Sequence, residues 1–285
     1  MKKFLFISLL WVFSANAFAQ TKAVLLENLT WQEAEKRLKP ETVVVIPLGA
    51  AAKEHGPHLK LKNDWTMAEY FKQRVLISAD VVIAPTINYF VYPAFVEYPG
   101  STSLRMETAR DLTVDICKSL ARFGPRRFYV INTGVSTLRA LKAAAEVLAA
   151  DGILLHYLDV TKDLEDTVKP LRKQEGGTHA DEIETSAMLY IDPTAVEMNK
   201  AVKDYNPRPE RGGRLTRDKQ VAARGEAIYS PTGSWGDPTL ATREKGQKVT
   251  EATFTIILKQ IEKLRRMTPP NASVKTTPKP KPESP

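Results

Sequence analysis

Cysteine is almost absent: Cys117 is the one thiol in 285 residues. That excludes an internal disulfide and any cysteine-rich zinc site. No histidine neighbours Cys117 in sequence, so it reads as a small buried apolar residue rather than a nucleophile. No apolar run reaches the roughly 18 residues of a membrane-crossing helix. Net charge is modest, with 41 Lys plus Arg against 33 Asp plus Glu, or +8. Five of the lysines lie at the chain ends (Lys2, Lys3, Lys275, Lys279 and Lys281), facing one carboxylate there, Glu283. The remaining excess is scattered, with no basic stripe interleaved with aromatics, which argues against nucleic acid as a partner. Internal repeats are lacking too.

What is present suits one sizeable domain: 43% of the residues are hydrophobic and 26% charged, enough to bury a core. Met1-Lys2-Lys3, the apolar run Phe4 to Phe13 and the small-x-small triplet Ala17-Phe18-Ala19 read as a signal peptide, residues 1–19, with Gln20 as the mature start. No cysteine follows the run, so no lipid anchor is expected. The expectation is an exported protein, periplasmic in a two-membrane bacterium, with no membrane insertion after cleavage. Residues 20–267 read as the folded domain. From Thr268 to Pro285, six prolines with lysine and threonine predict a disordered tail.

Val43 to Gly49, Val81 to Pro85, Arg127 to Ile131 and Ile153 to Leu158 read as buried strands. Helical spacing predicts helices over Asp64 to Ser78, Met106 to Arg122, Leu138 to Ala150, Ile183 to Tyr190 and Val249 to Arg266. Strands apolar throughout, alternating with helices, imply an α/β fold with a mostly parallel sheet covered on both faces. Residues 206–235 read as a long loop. Ligands bind beyond the carboxyl ends of such strands, so the turns after Ile46, Pro85, Ile131 and Leu158 are the places to search.

The first of these turns holds Lys53-Glu54-His55-Gly56-Pro57-His58-Leu59, then Asn63-Asp64. Imidazole and carboxylate at such spacing suit Zn²⁺, Mn²⁺ or Fe²⁺. A second segment, Gly176 to Ser186, carries His179 and Glu184 at the opening of a helix. The fourth histidine, His156, lies in an apolar strand and reads as structural.

Four ordered motifs give the chain its resemblance. They are Ile46-Pro47-Leu48-Gly49 leading to His55-Gly56-Pro57-His58-Leu59 and Asp64; Tyr98 to Leu104; His179-Ala180 with Glu184-Thr185-Ser186; and Gly236-Asp237-Pro238 with Ala241-Thr242 and Glu244-Lys245-Gly246. Together they resemble the creatininase family of metal hydrolases over roughly Leu29 to Leu264. The resemblance implies an α/β/α sandwich, a homohexamer, and hydrolysis of C–N bonds in small cyclic or linear amides.

Departures from that pattern point to a degenerate centre. The family's Glu-x-His carries Lys53 at the glutamate position, the glutamate is displaced to Glu54, and one extra residue separates Gly49 from His55. The family's Asn-Gly-His-Gly-Gly-Asn reads Asn132-Thr133-Gly134-Val135-Ser136-Thr137, with Gly134 in place of the histidine. Both lost ligands serve one metal of a pair. The resemblance therefore implies one divalent ion, held by His55, Asp64 and Glu184. His179 would shuttle a proton, and Glu54 would act as base or replacement ligand. Lys53 would either occupy the vacated place near Asp64 or point to solvent. His58, Asn132, Ser136, Tyr98 and Trp235 are expected around the substrate. The competing reading is a non-catalytic descendant retaining the fold as a binding or structural module.

Overall fold

The computed structural model describes residues 22–205 and 230–272. The expected signal peptide, most of the expected long loop and the tail beyond Ala272 lie outside the described residues. Five parallel strands form one sheet: β1 (Val24–Leu25), β2 (Val43–Leu48), β3 (Val82–Ile83), β4 (Arg127–Asn132) and β5 (Leu154–Tyr157). Their spatial order is β1-β3-β2-β4-β5. The central pair runs in register from Val43 opposite Arg127 to Leu48 opposite Asn132.

Alternation of side chains splits each central strand between two cores. Val44, Ile46 and Leu48, with Phe128 and Val130, pack beneath α3 (Met106–Ala121) and α4 (Leu138–Ala149). Val43, Val45, Tyr129 and Ile131 face α2 (Asn63–Ser78) and the C-terminal α7 (Arg243–Arg266). Both faces of the sheet are covered, which is the α/β/α sandwich expected from the unbroken apolar strands. Cys117 is buried in α3, and burial pushes its thiol up. Among the described residues no helix is long and apolar enough to cross a membrane.

Several element bounds differ from the sequence reading. The second predicted strand shrinks to Val82–Ile83. The last helix starts six residues earlier than expected, capped by the Thr242 hydroxyl, which accepts from the Lys245 amide. Glycine at 246 hides this start from periodicity. A two-residue edge strand β1 and the short helix α1 (Trp31–Arg37) were not foreseen; α1 opens with a Thr30–Glu33 capping box. Two further short helices among the described residues are α5 (Glu165–Val168) and α6 (Glu182–Ile191).

Candidate metal centre

From β2 the chain turns through α2 to β3 on one side; from β4 it turns through α4 to β5 on the other. The carboxyl ends of β2 and β4 are thus a topological switch point, where a crevice opens. Gly49 closes β2, and a β-carbon there would lie 2.2 Å from the Asp64 carbonyl. Only glycine lets the first turn of α2, with Asp64, press against the strand end.

Between them the loop is stapled by the second motif. The Glu54 amide donates to the Ser101 hydroxyl at 2.9 Å, and the Thr102 amide to the Ala52 carbonyl at 3.0 Å. Within this loop the His55 ring is fully engaged. Its Nδ1 lies 2.9 Å from the Lys53 carbonyl and its Nε2 2.8 Å from Asp64 Oδ1. A carbonyl oxygen can only accept, so Nδ1 carries the hydrogen and the Nε2 lone pair of the neutral ring faces a carboxylate. A proton on Nε2 or a bound cation would bridge the two.

The other Asp64 oxygen, Oδ2, meets the Lys53 ammonium at 2.7 Å. Lys53 is 4% exposed and stands 5.4 Å from the Tyr92 ring centre and 5.1 Å from that of Phe95. Burial works to raise the Asp64 pKa, but Lys53 and His55 outweigh it and hold the carboxyl well below the usual range. Burial pulls the His55 pKa down, with Asp64 opposing.

The third motif reaches the same place from 124 residues away. Residue His179 pairs with Trp235 as an antiparallel bridge, and Ala180 adopts the left-handed region at φ 46°. Such a backbone is rare outside glycine and marks a functional or constrained turn. The Asp181 side chain then caps α6, accepting from the Ile183 and Glu184 amides at 2.9 Å. His179 Nε2 lies 3.0 Å from the Glu54 carbonyl and 3.1 Å from its carboxylate. Its hydrogen therefore sits on Nε2, and Nδ1 turns its lone pair towards Glu184 Oε2, 3.8 Å away.

Three donors converge: one atom each from His55, His179 and Glu184, all within 4.8 Å of one another. Burial pushes the Glu184 carboxyl up to about 8, with Asp64 and Asp181 adding to the effect and Lys53 opposing it. Burial likewise pushes Glu54 up to about 8, against the Gly56 amide and Lys53. A cavity of about 650 Å³ opens beside His179 and Glu184. Its lining includes the polar Lys53, Asn132, Ser136, His179 and Glu184 and the apolar Phe71, Leu158 and Val249.

Set against the sequence reading, His55 and Glu184 stand together as expected, and His179 joins them. Asp64 touches His55 but falls outside that grouping, and its second oxygen pairs with Lys53. Glu54 lies behind His179, off the cavity wall. His58 is buried, with Nε2 2.8 Å from the Thr185 hydroxyl and its pKa pushed down to about 4 by burial and by His55. It ties the first motif to the third. The Asn132 amide is consumed by its own loop, donating to the carbonyls of Gly134 and Leu158 and accepting from the Thr137 hydroxyl and Gly134 amide. Tyr98 bonds the Ser230 backbone, and Trp235 packs on the core beside its bridge to His179. Neither lines the cavity. Phe95, whose ring centre is 4.3 Å from that of His179, was missed; nothing in its sequence neighbourhood marks it.

The fourth motif supports α6 from below. The Lys245 ammonium pairs with buried Glu182, and the Ser186 hydroxyl accepts from the Thr242 amide.

Comparison with known proteins supplies the family. The family model for creatinine amidohydrolase matches residues 27–261. The mycofactocin precursor peptide peptidase of Mycolicibacterium smegmatis is 27% identical over 220 residues, covering 73% of this chain and 79% of the relative. The creatinine amidohydrolase of Pseudomonas putida is 27% identical over 252 residues, 81% of this chain and 93% of the relative. A mutant creatininase of known structure shares the fold at TM-score 0.67 and 24% identity, covering 86% of this chain and 100% of the other. Other solved creatininases are described as a manganese form and a Zn-Zn form. The chain belongs to the creatininase family, whose relatives are hydrolases, among them a creatinine amidohydrolase and a peptide peptidase.

Proposed function

We propose that the protein is an exported hydrolase cleaving the C–N bond of a small cyclic or linear amide at one divalent ion. His55, His179 and Glu184 would hold the ion, with Asp64 beside His55. The observation that carries this reading is the inward pair of ring lone pairs. Both outer ring nitrogens are spent on backbone carbonyls, at 2.9 Å for His55 and 3.0 Å for His179. Both inner ones face carboxylates, the arrangement of imidazoles oriented for a cation. The donor set suits Zn²⁺, Mn²⁺ or Fe²⁺ alike.

When bound, such an ion lowers the pKa of a water towards about 7 and polarises a carbonyl. The chain's own groups do the rest. The Lys53 ammonium on the cavity wall faces negative charge as it builds on the carbonyl oxygen. Glu54 reaches the cavity only through His179 and positions that ring. The apolar wall excludes water from the substrate's non-reacting part.

Export is supported by Lys2-Lys3, the apolar run and Ala17-Phe18-Ala19. Homohexamer assembly is the family's habit. The decisive experiment measures metal content and amine release from creatinine, formamides, lactams and short peptide amides. Activity should vanish with chelator and return with Zn²⁺ or Mn²⁺. Protein that carries no stoichiometric metal after growth in excess would overturn the reading. N-terminal sequencing of exported protein should begin at Gln20, and light scattering should give a hexamer.

A further inference from the structure

We infer that the Lys53 ammonium takes the place of a second metal ion, so the centre is built for one ion and one fixed positive charge. This rests on the single-ion hydrolase reading above and gives it a chemical reason. Lys53 Nζ lies 2.7 Å from Asp64 Oδ2, while Oδ1 of the same carboxylate lies 2.8 Å from His55 Nε2. One carboxylate thus bridges a buried ammonium on one side and the donor group on the other.

The opposite wall agrees. A β-carbon built on Gly134 would point to within 4.0 Å of that same Oδ2. A histidine side chain at 134 would therefore reach the spot that Lys53 fills. Residues 53 and 134 converge on one oxygen; the first supplies a cation and the second withholds a ligand. The rings of Tyr92 and Phe95, 5.4 and 5.1 Å from the ammonium, add favourable cation–π contacts.

The test counts ions in the full mature protein, saturated with Zn²⁺ or Mn²⁺ and then desalted. The wild type should hold one per chain by mass spectrometry and titration calorimetry. The double variant K53E/G134H restores both ligands and should hold two. Lys53→Met should keep one ion but bind it about tenfold more tightly, because Asp64 is no longer neutralised; a purely structural lysine would leave affinity unchanged or weakened. Two ions in the wild type, or one in a folded double variant, would overturn the inference while leaving amide hydrolysis standing. No ion in the wild type would overturn the hydrolase reading along with it. Should the double variant fail to fold, Lys53→Met decides: tighter binding supports the inference, and unchanged or weaker binding overturns it.

Discussion

The Glu54 carboxylate stands 3.1 Å from His179 Nε2, on the edge of the ring away from Glu184. Burial pushes this carboxyl up to about 8, far above the roughly 4.3 of a free glutamate. A carboxyl with a raised folded pKa takes up a proton on folding, so stability falls as pH rises from about 4 to about 8 and then levels. Glu54→Gln keeps the hydrogen bond but cannot ionise. It should flatten part of that decline and be more stable than the wild type at pH 8.5 by about 2 kcal/mol, measured by denaturant unfolding of metal-free protein.

Asp64 presents the opposite sign. Its folded pKa is depressed by Lys53 and His55 against the pull of burial, so the stability it contributes is present above the unfolded carboxylate pKa of about 3.9. It is lost as pH falls below that value through the folded pKa. Asp64→Asn strands a buried ammonium and should cost about 3–5 kcal/mol at pH 7. The gap to wild type should narrow in acid. Chelated protein melted across a pH series provides the check.

Metal affinity should itself depend on pH. Glu184 is pushed up to about 8 in the ion-free site, and a ligand must lose its proton to bind. The Zn²⁺ affinity should therefore climb by up to ~10-fold per pH unit below pH 8 and flatten above it. Glu184→Gln should weaken binding and remove that slope, as read by competition with a chromophoric chelator.

Two glycines near the site should respond in contrasting ways to alanine. At Gly246 a β-carbon would lie 1.7 Å from the Ser186 carbonyl, where α7 crosses α6. Gly246→Ala should cost about 3 kcal/mol or more by overpacking and should disturb Glu184 through α6. At Gly134 the nearest atom to such a carbon is the Thr137 methyl at 3.7 Å. Gly134→Ala should change stability by less than about 1 kcal/mol. Paired melting curves test both.

The layered sheet was legible because β2 and β4 are apolar at nearly every position, and that pattern belongs to strands covered on both sides. The edge strand Val24–Leu25 was not, since two residues carry no periodicity. The turn after β2 announced its chemistry through His55 and Asp64, and the segment before α6 through His179 and Glu184. Their meeting could not be read locally. It depends on the His179–Trp235 bridge and the left-handed Ala180, which are products of tertiary packing. Lys53 was open between two orientations on sequence grounds. Its inward course follows from Asp64 being pressed against Gly49, which leaves a buried acidic oxygen in need of a partner. The Gly236-to-Gly246 motif gave no hint of its part, because Lys245 serves Glu182 on another helix.

The pairing of Lys53 with Asp64 also bears on how the centre meets its surroundings. A dissociable ion is shared with the medium, and its occupancy follows whatever supply the medium offers. An ammonium tethered by a peptide bond is inherited with the chain and does not exchange. On the one-ion reading, about a third of the positive charge near Asp64 is therefore immune to scavenging, and a single capture event would complete the centre where metals are scarce.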